Sequence, residues 1–138
     1  GGPAWRQTTF FPFSITSRLA RGEALRVKLD APTYETEAYG EVSLVDAVAT
    51  HDAEAGRSAV FLVNRSTTEP VTLTIDVAAL GEVAVVESHT ISDDDVYAKN
   101  TLDDRERVSP KPNDTARIAG GELTITLPPV SWTAIALA

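Results

Sequence analysis

The 138-residue chain contains no cysteine and no methionine. Without cysteine there is no disulfide framework, no thiolate nucleophile and no thiolate zinc site. Basic residues are scarce: 12 Lys and Arg stand against 20 Asp and Glu, for a formal net charge of −8. That balance supplies no electrostatic footprint for phosphate backbones or anionic lipid, so neither nucleic acid nor a membrane is an expected partner. No apolar run approaches the ~20 residues of a membrane-spanning helix, and the N-terminus lacks a signal-peptide pattern. Nor is there an internal repeat of solenoid length. The opening Gly1-Gly2-Pro3, with no Met anywhere in the chain, reads as a piece of something longer.

Hydrophobic residues make up 43% and charged residues 23% of the chain, the balance of one globular domain with a real core. The dominant pattern has period two. Leu25, Val27 and Leu29 alternate with Arg26 and Lys28; Val71, Leu73, Ile75 and Val77 alternate with Thr72, Thr74 and Asp76; Leu123, Ile125 and Leu127 alternate with Thr124 and Thr126. Alternation puts one face on a core and the other in water. Ala59 to Val63 is apolar throughout, which predicts a strand covered on both sides. Val83 to Val86 and Thr133 to Leu137 read as further strands, and Trp132 is placed in the core. Polar turns at Asn64 to Pro70, Gly81 and Gly120-Gly121 separate these runs, so an all-β antiparallel sandwich is expected.

Two segments depart from that pattern. Phe10, Phe13, Ile15 and Leu19 predict a short amphipathic helix over Thr9 to Ala20, stopped by Gly22. Ser92 to Ala119 is polar, charged and proline-bearing, the mark of a loop that is functional or pinned to a neighbour.

Chemistry is hard to find locally. Glycoside hydrolysis needs two carboxylates at a set separation, and twenty acidic residues offer no selectable pair. Asp93-Asp94-Asp95 supplies hard oxygens suited to calcium but not the ligand spacing of a defined loop. His51 and His89 lie in no metal-ligand spacing, and no Gly-x-Ser-x-Gly elbow accompanies them; strand ends or the surface are expected for both. Asn64-Arg65-Ser66 and Asn113-Asp114-Thr115 match the N-glycosylation pattern. Four of nine aromatics, Trp5, Phe10, Phe11 and Phe13, crowd the first thirteen residues, while Tyr34, Tyr39 and Tyr97 fall in loop-like segments that could present a sugar-stacking face.

The opening Trp5-Arg6-Gln7-Thr8, with the Phe-Phe-Pro-Phe after it, resembles the last barrel strand and helix of family 51 α-L-arabinofuranosidases. Ala31-Pro32-Thr33-Tyr34, Phe61-Leu62-Val63-Asn64-Arg65, Asn100-Thr101 with Val108-Ser109-Pro110, and Leu127-Pro128-Pro129-Val130-Ser131-Trp132 look like later signatures of that family, in the same order. Arg105 stands where many relatives carry proline. The resemblance implies a (β/α)8 catalytic barrel followed by a jelly-roll sandwich, with residues 1–22 a remnant of the barrel and 23–138 the C-terminal sandwich. It implies a retaining enzyme acting on terminal α-L-arabinofuranosyl groups of arabinan, arabinoxylan and arabino-oligosaccharides in L-arabinose metabolism. Its two catalytic Glu residues lie on earlier barrel strands with no counterpart here, so no catalytic residue, metal or cofactor is expected in this chain. Gln7 matches a glutamine that hydrogen-bonds the sugar in the −1 subsite, and a neutral amide can both donate to and accept from hydroxyls. The expected partners are the barrel, arabinose-containing oligosaccharides through it, and further copies of the chain through an unpaired sheet edge or through the aromatic helix. A cytoplasmic location is expected by the same resemblance. The alternatives are an independent carbohydrate-binding module and a sandwich for protein interaction.

Overall fold

In the computed structural model, which describes residues 2–138, a single α-helix, α1, spans Phe10–Leu19. Gly1, the first residue of the expected 1–22 segment, lies outside the described residues. Pro12 falls in the first turn, where a missing N–H removes no helical hydrogen bond. Ala20, not Gly22, caps the helix: its N–H donates to the Thr16 carbonyl at 2.8 Å. The expected apolar stripe is also narrower than its spacing suggests. Phe13 is 80% exposed while Ile15 is buried, because two residues of helix rotate a side chain by about 200°.

Eleven strands follow: β1 (Glu23–Leu25), β2 (Thr33–Thr36), β3 (Gly40–Ser43), β4 (Val45–Asp52), β5 (Arg57–Asn64), β6 (Val71–Asp76), β7 (Val85–Ile91), β8 (Lys111–Pro112), β9 (Arg117–Ala119), β10 (Glu122–Leu127) and β11 (Ser131–Leu137). A one-turn 3-10 helix, Ala78–Leu80, takes the chain from β6 toward β7. The strands form a six-stranded sheet ordered β1-β4-β5-β11-β7-β8, a three-stranded sheet β6-β10-β9 and a separate hairpin β2-β3. Every pairing is antiparallel. The expected β-sandwich is therefore what forms.

Its main core lies between the two larger sheets, where Val45, Val60, Leu62, Leu123, Ile125, Leu127, Ile135 and Leu137 pack together. Strand β5 shows why its run is apolar throughout. Val60 and Leu62 face the sandwich core, while Ala59 and Phe61 face Ile15 of α1 in a second cluster. Successive side chains point to opposite faces, so a strand covered on both sides can spare no polar position.

Trp132 belongs to this second cluster rather than to the main core. It is half-buried and stacks on Phe61 with centroids 6.1 Å apart and planes at 28°. Its neighbours Ser131 and Thr133 take the inward positions of β11.

The alternating run from Leu25 to Leu29 stops being a strand after Leu25. Alternation describes which faces a strand would present, but a strand needs a ladder partner. Beyond Leu25, residues 26–30 border a cleft of about 600 Å³, facing β6 across it. Leu25, Val27 and Leu29 are left exposed. Strand β7 also departs from expectation, beginning at Val85 and running through Glu87, Ser88 and His89 to Ile91. Strands β2, β3 and β4 have no counterpart in the sequence reading, and β8 and β9 fall inside the Ser92 to Ala119 segment read as a loop, where short ladders to β7 and β10 hold them.

Candidate functional site

Residues 4–9 approach α1 without regular structure, so their position must come from side chains. The carbonyl of Gln7 accepts the Phe10 N–H at 2.9 Å, fixing the segment to the first turn of the helix. The Arg6 guanidinium lies 4.8 Å from the Phe10 ring centroid, within cation–π range.

The third attachment reaches across the chain. The backbone carbonyl of Asn100 accepts the Trp5 indole N–H at 3.1 Å and the Gln7 side-chain amide at 3.4 Å. The Asn100 side chain in turn donates from Nδ2 to the Arg6 carbonyl at 3.0 Å. Asn100 is only 2% exposed, although the loop around it is polar. Its remaining capacity is spent within its own loop: Nδ2 also donates to the Val108 carbonyl at 3.0 Å, and Oδ1 accepts the Val108 N–H at 2.8 Å. The sequence marks this Asn-Thr pair as a signature and the loop as functional or pinned to a neighbour, and does not distinguish Asn100 as the residue that makes these contacts.

Gln7 keeps chemical capacity to spare. One Nε2 hydrogen is directed at Asn100, which leaves a second N–H and both lone pairs of Oε1 for another partner. The side chain is exposed. Close by, an apolar cleft of about 570 Å³ is bordered by Pro12, Tyr34, Val96, Val130 and Trp132.

The other residues singled out in the sequence take structural roles. Asp93 accepts from Arg107 Nε at 3.2 Å and Nη2 at 3.1 Å, and Asp95 lies 3.5 Å from the same guanidinium. The Arg107 hydrogen bond, followed by the Asp95 backbone N–H, holds the Asp93 carboxyl below its usual value. An acidic run already neutralised by arginine has little left for a cation. Among the described residues, no group of three or more His, Asp or Glu is arranged to hold a metal.

His51 sits at the end of β4, with Nδ1 2.9 Å from Ser58 Oγ. Among the described residues no carboxylate hydrogen-bonds it, so the pair lacks the third member of a triad. His89 lies within β7, opposite Ala134. Both asparagines of the glycosylation-type patterns are committed internally. Asn64 Nδ2 faces three carbonyls, and Asn113 Nδ2 donates to Thr90 Oγ1 and the Thr126 carbonyl. Tyr39, at the hairpin tip, and Tyr97 are 83% and 87% exposed.

Known proteins match this arrangement along nearly the whole chain. The family model described as the alpha-L-arabinofuranosidase C-terminal domain matches residues 1–131. An intracellular exo-alpha-(1->5)-L-arabinofuranosidase of Streptomyces lividans is 48% identical over 136 residues, covering 98% of this chain and 20% of that protein. An exo-alpha-(1->6)-L-arabinofuranosidase of Bifidobacterium longum is 47% identical over 138 residues, with 98% and 26% covered. The solved structure of AbfB, a family 51 alpha-L-arabinofuranosidase from Bifidobacterium longum, superposes with a TM-score of 0.93 at 42% identity, over 99% of this chain and 27% of that one. The chain thus spans about a fifth to a quarter of these relatives' length.

Proposed function

This chain belongs to the alpha-L-arabinofuranosidase C-terminal domain family, and from that premise we propose that it serves as the non-catalytic sandwich of a retaining α-L-arabinofuranosidase. The longer polypeptide removes non-reducing terminal α-L-arabinofuranosyl groups from arabinan, arabinoxylan and arabino-oligosaccharides. The observation that carries this reading is coverage. Nearly all of this chain, 98%, aligns to 20% of one arabinofuranosidase and 26% of another. The catalytic carboxylates then belong to the larger share, a (β/α)8 barrel.

Within that enzyme, residues 1–22 are the final strand and helix of the barrel, and 23–138 the sandwich. Gln7 lies at the C-terminal end of the last barrel strand, the end at which barrel enzymes build their active sites. There its free N–H and Oε1 bind hydroxyls of the arabinofuranosyl ring in the −1 subsite. The apolar cleft beside Pro12, Tyr34 and Val130 faces the barrel, which covers it. Among the described residues strand β6 pairs only with β10, and its open edge supports association of copies. The Streptomyces lividans relative is named intracellular, and a cytoplasmic location is proposed here too.

The test is hydrolysis of 4-nitrophenyl α-L-arabinofuranoside by two polypeptides, the 138-residue chain and the full enzyme. The full enzyme is expected to release nitrophenol with retention of anomeric configuration, followed by NMR, and the short chain to remain at background. Turnover by the short chain, or inversion by the full enzyme, would refute the reading.

A further inference from the structure

We propose that Asn100, a residue of the sandwich, is the positioning residue for Gln7, so that the geometry of the sugar subsite is set by the C-terminal domain. The inference rests on the reading of Gln7 as a sugar ligand and goes beyond it. Asn100 lies 93 residues from Gln7 in sequence, yet addresses three consecutive residues around it. Its carbonyl takes the Trp5 indole and the Gln7 amide; its own amide holds the Arg6 carbonyl between them. The residues before α1 have no ladder partner within this chain. In the full enzyme the neighbouring barrel strands hold their backbone, and the Asn100 contacts add the constraint on the Trp5 and Gln7 side chains. Val108 locks Asn100 from the other side through both atoms of its amide group. The two Asn100–Val108 hydrogen bonds are buried, and they hold Asn100 in place because a buried polar group that loses a partner has no water to replace it.

The chemical consequence concerns the orientation of one amide. A primary amide offers two N–H donors and a two-lone-pair acceptor. The 3.4 Å approach of Gln7 Nε2 to the Asn100 carbonyl turns the nitrogen edge of the amide toward Asn100 and leaves Oε1 on the opposite edge. The remaining N–H and Oε1 then point in set directions toward the ring hydroxyls. Without the clasp, the amide must be ordered by the substrate itself, and misplacement of about 1 Å can cost up to ~100-fold in rate.

The experiment is a double-mutant cycle in the full enzyme, with Asn100→Ala, Gln7→Ala and the double variant assayed on 4-nitrophenyl α-L-arabinofuranoside. Gln7→Ala is expected to lower kcat/KM about tenfold, the worth of one or two hydrogen bonds to the sugar. Asn100→Ala keeps the carbonyl that meets Gln7 but removes the side chain that anchors that carbonyl to Arg6 and Val108. It is expected to lower kcat/KM about threefold to tenfold, and to add less than about twofold when Gln7 is already Ala. Loss of a merely structural residue would instead multiply the Gln7 defect in full. If Asn100→Ala does not fold by circular dichroism, Asn100→Ser is run through the same cycle. It lacks the amide that holds Arg6 and brings no charge against the Arg6 and Val108 carbonyls. Wild-type turnover by Gln7→Ala overturns the sugar contact and this inference together. A Gln7→Ala defect accompanied by an unaffected or fully multiplicative Asn100 variant overturns this inference alone.

Discussion

The side-chain amide of Asn64 donates to the backbone carbonyl of Leu127 at 3.2 Å, joining the end of β5 to the end of β10 in the opposite sheet. The same nitrogen faces the carbonyls of Glu69 and Pro128 at 3.1 and 2.9 Å, and Oδ1 accepts the Ser66 N–H at 3.0 Å. One buried amide thus ties together the turn after β5 and the Pro128-Pro129 turn into β11. A nitrogen so occupied is not free to carry a glycan.

Asn64→Ala leaves those carbonyls without their donor inside the protein. A cost of about 2 kcal/mol is expected, since stranding buried polar partners costs about 1–3 kcal/mol. Urea unfolding should show a lower midpoint with an unchanged slope. A loss under about 0.5 kcal/mol would mean that water reaches the site and replaces the amide.

The Asp93–Arg107 pair predicts an acid response. Arg107 holds the Asp93 carboxyl below its ordinary value of 3.8, so the ionised form is favoured in the folded protein. The resulting support for the 93–107 loop is complete above that ordinary value and is lost as pH falls through the lower, folded value. In an NMR titration of carboxyl carbons, Asp93 should titrate below the ordinary value of 3.8. Arg107→Gln should raise its midpoint; an unmoved midpoint would show that the guanidinium is not the cause.

Gly22 approaches β4 more closely than any side chain would allow. Its φ is +75°, and a Cβ there would stand 2.0 Å from the His51 carbonyl oxygen and 2.6 Å from the Asp52 Cα. Gly22→Ala must therefore push β1 off the edge of the six-stranded sheet. A destabilisation of at least about 2 kcal/mol is expected, combining an unfavourable φ of about 1–2 kcal/mol with backbone displacement. Hydrogen exchange should locate the loss at residues 23–25 and 49–51; wild-type protection there would count against it.

Ile135 is fully buried at the centre of β11, between β5 and β7 and within the main core. Ile135→Ala should cost about 2–5 kcal/mol, the transfer loss plus the cavity left behind. Chemical denaturation measures it directly. A cost near 1 kcal/mol would reveal a core loose enough to collapse around the hole.

Local pattern made several elements legible. The Thr-spaced runs of β6 and β10 read as strands because one face meets the core and the other meets water, which the threonines tolerate. The unbroken run of β5 read as doubly covered because both its faces are. Strand β7 was misplaced because Glu87, Ser88 and His89 interrupt its apolar run, although backbone pairing with β11 holds them in the ladder. The Leu25 to Leu29 alternation misled for the opposite reason, a strand-like pattern whose ladder ends at Leu25. Gln7 stands out only through the resemblance of Trp5-Arg6-Gln7 to a family motif, and its role remains a proposal. Asn100 could not be identified as their anchor.

Composition and alternation by themselves determined the sandwich, since the burial demanded by each side chain is written at its own position. Which strands lie side by side, and which polar groups are buried as anchors, only the tertiary structure decided. An asparagine looks the same in a wet loop and in a clasp. What distinguishes Asn100 is the arrival of Trp5, Arg6 and Gln7 from more than ninety residues away, and a hydrogen bond is fixed by where both partners stand.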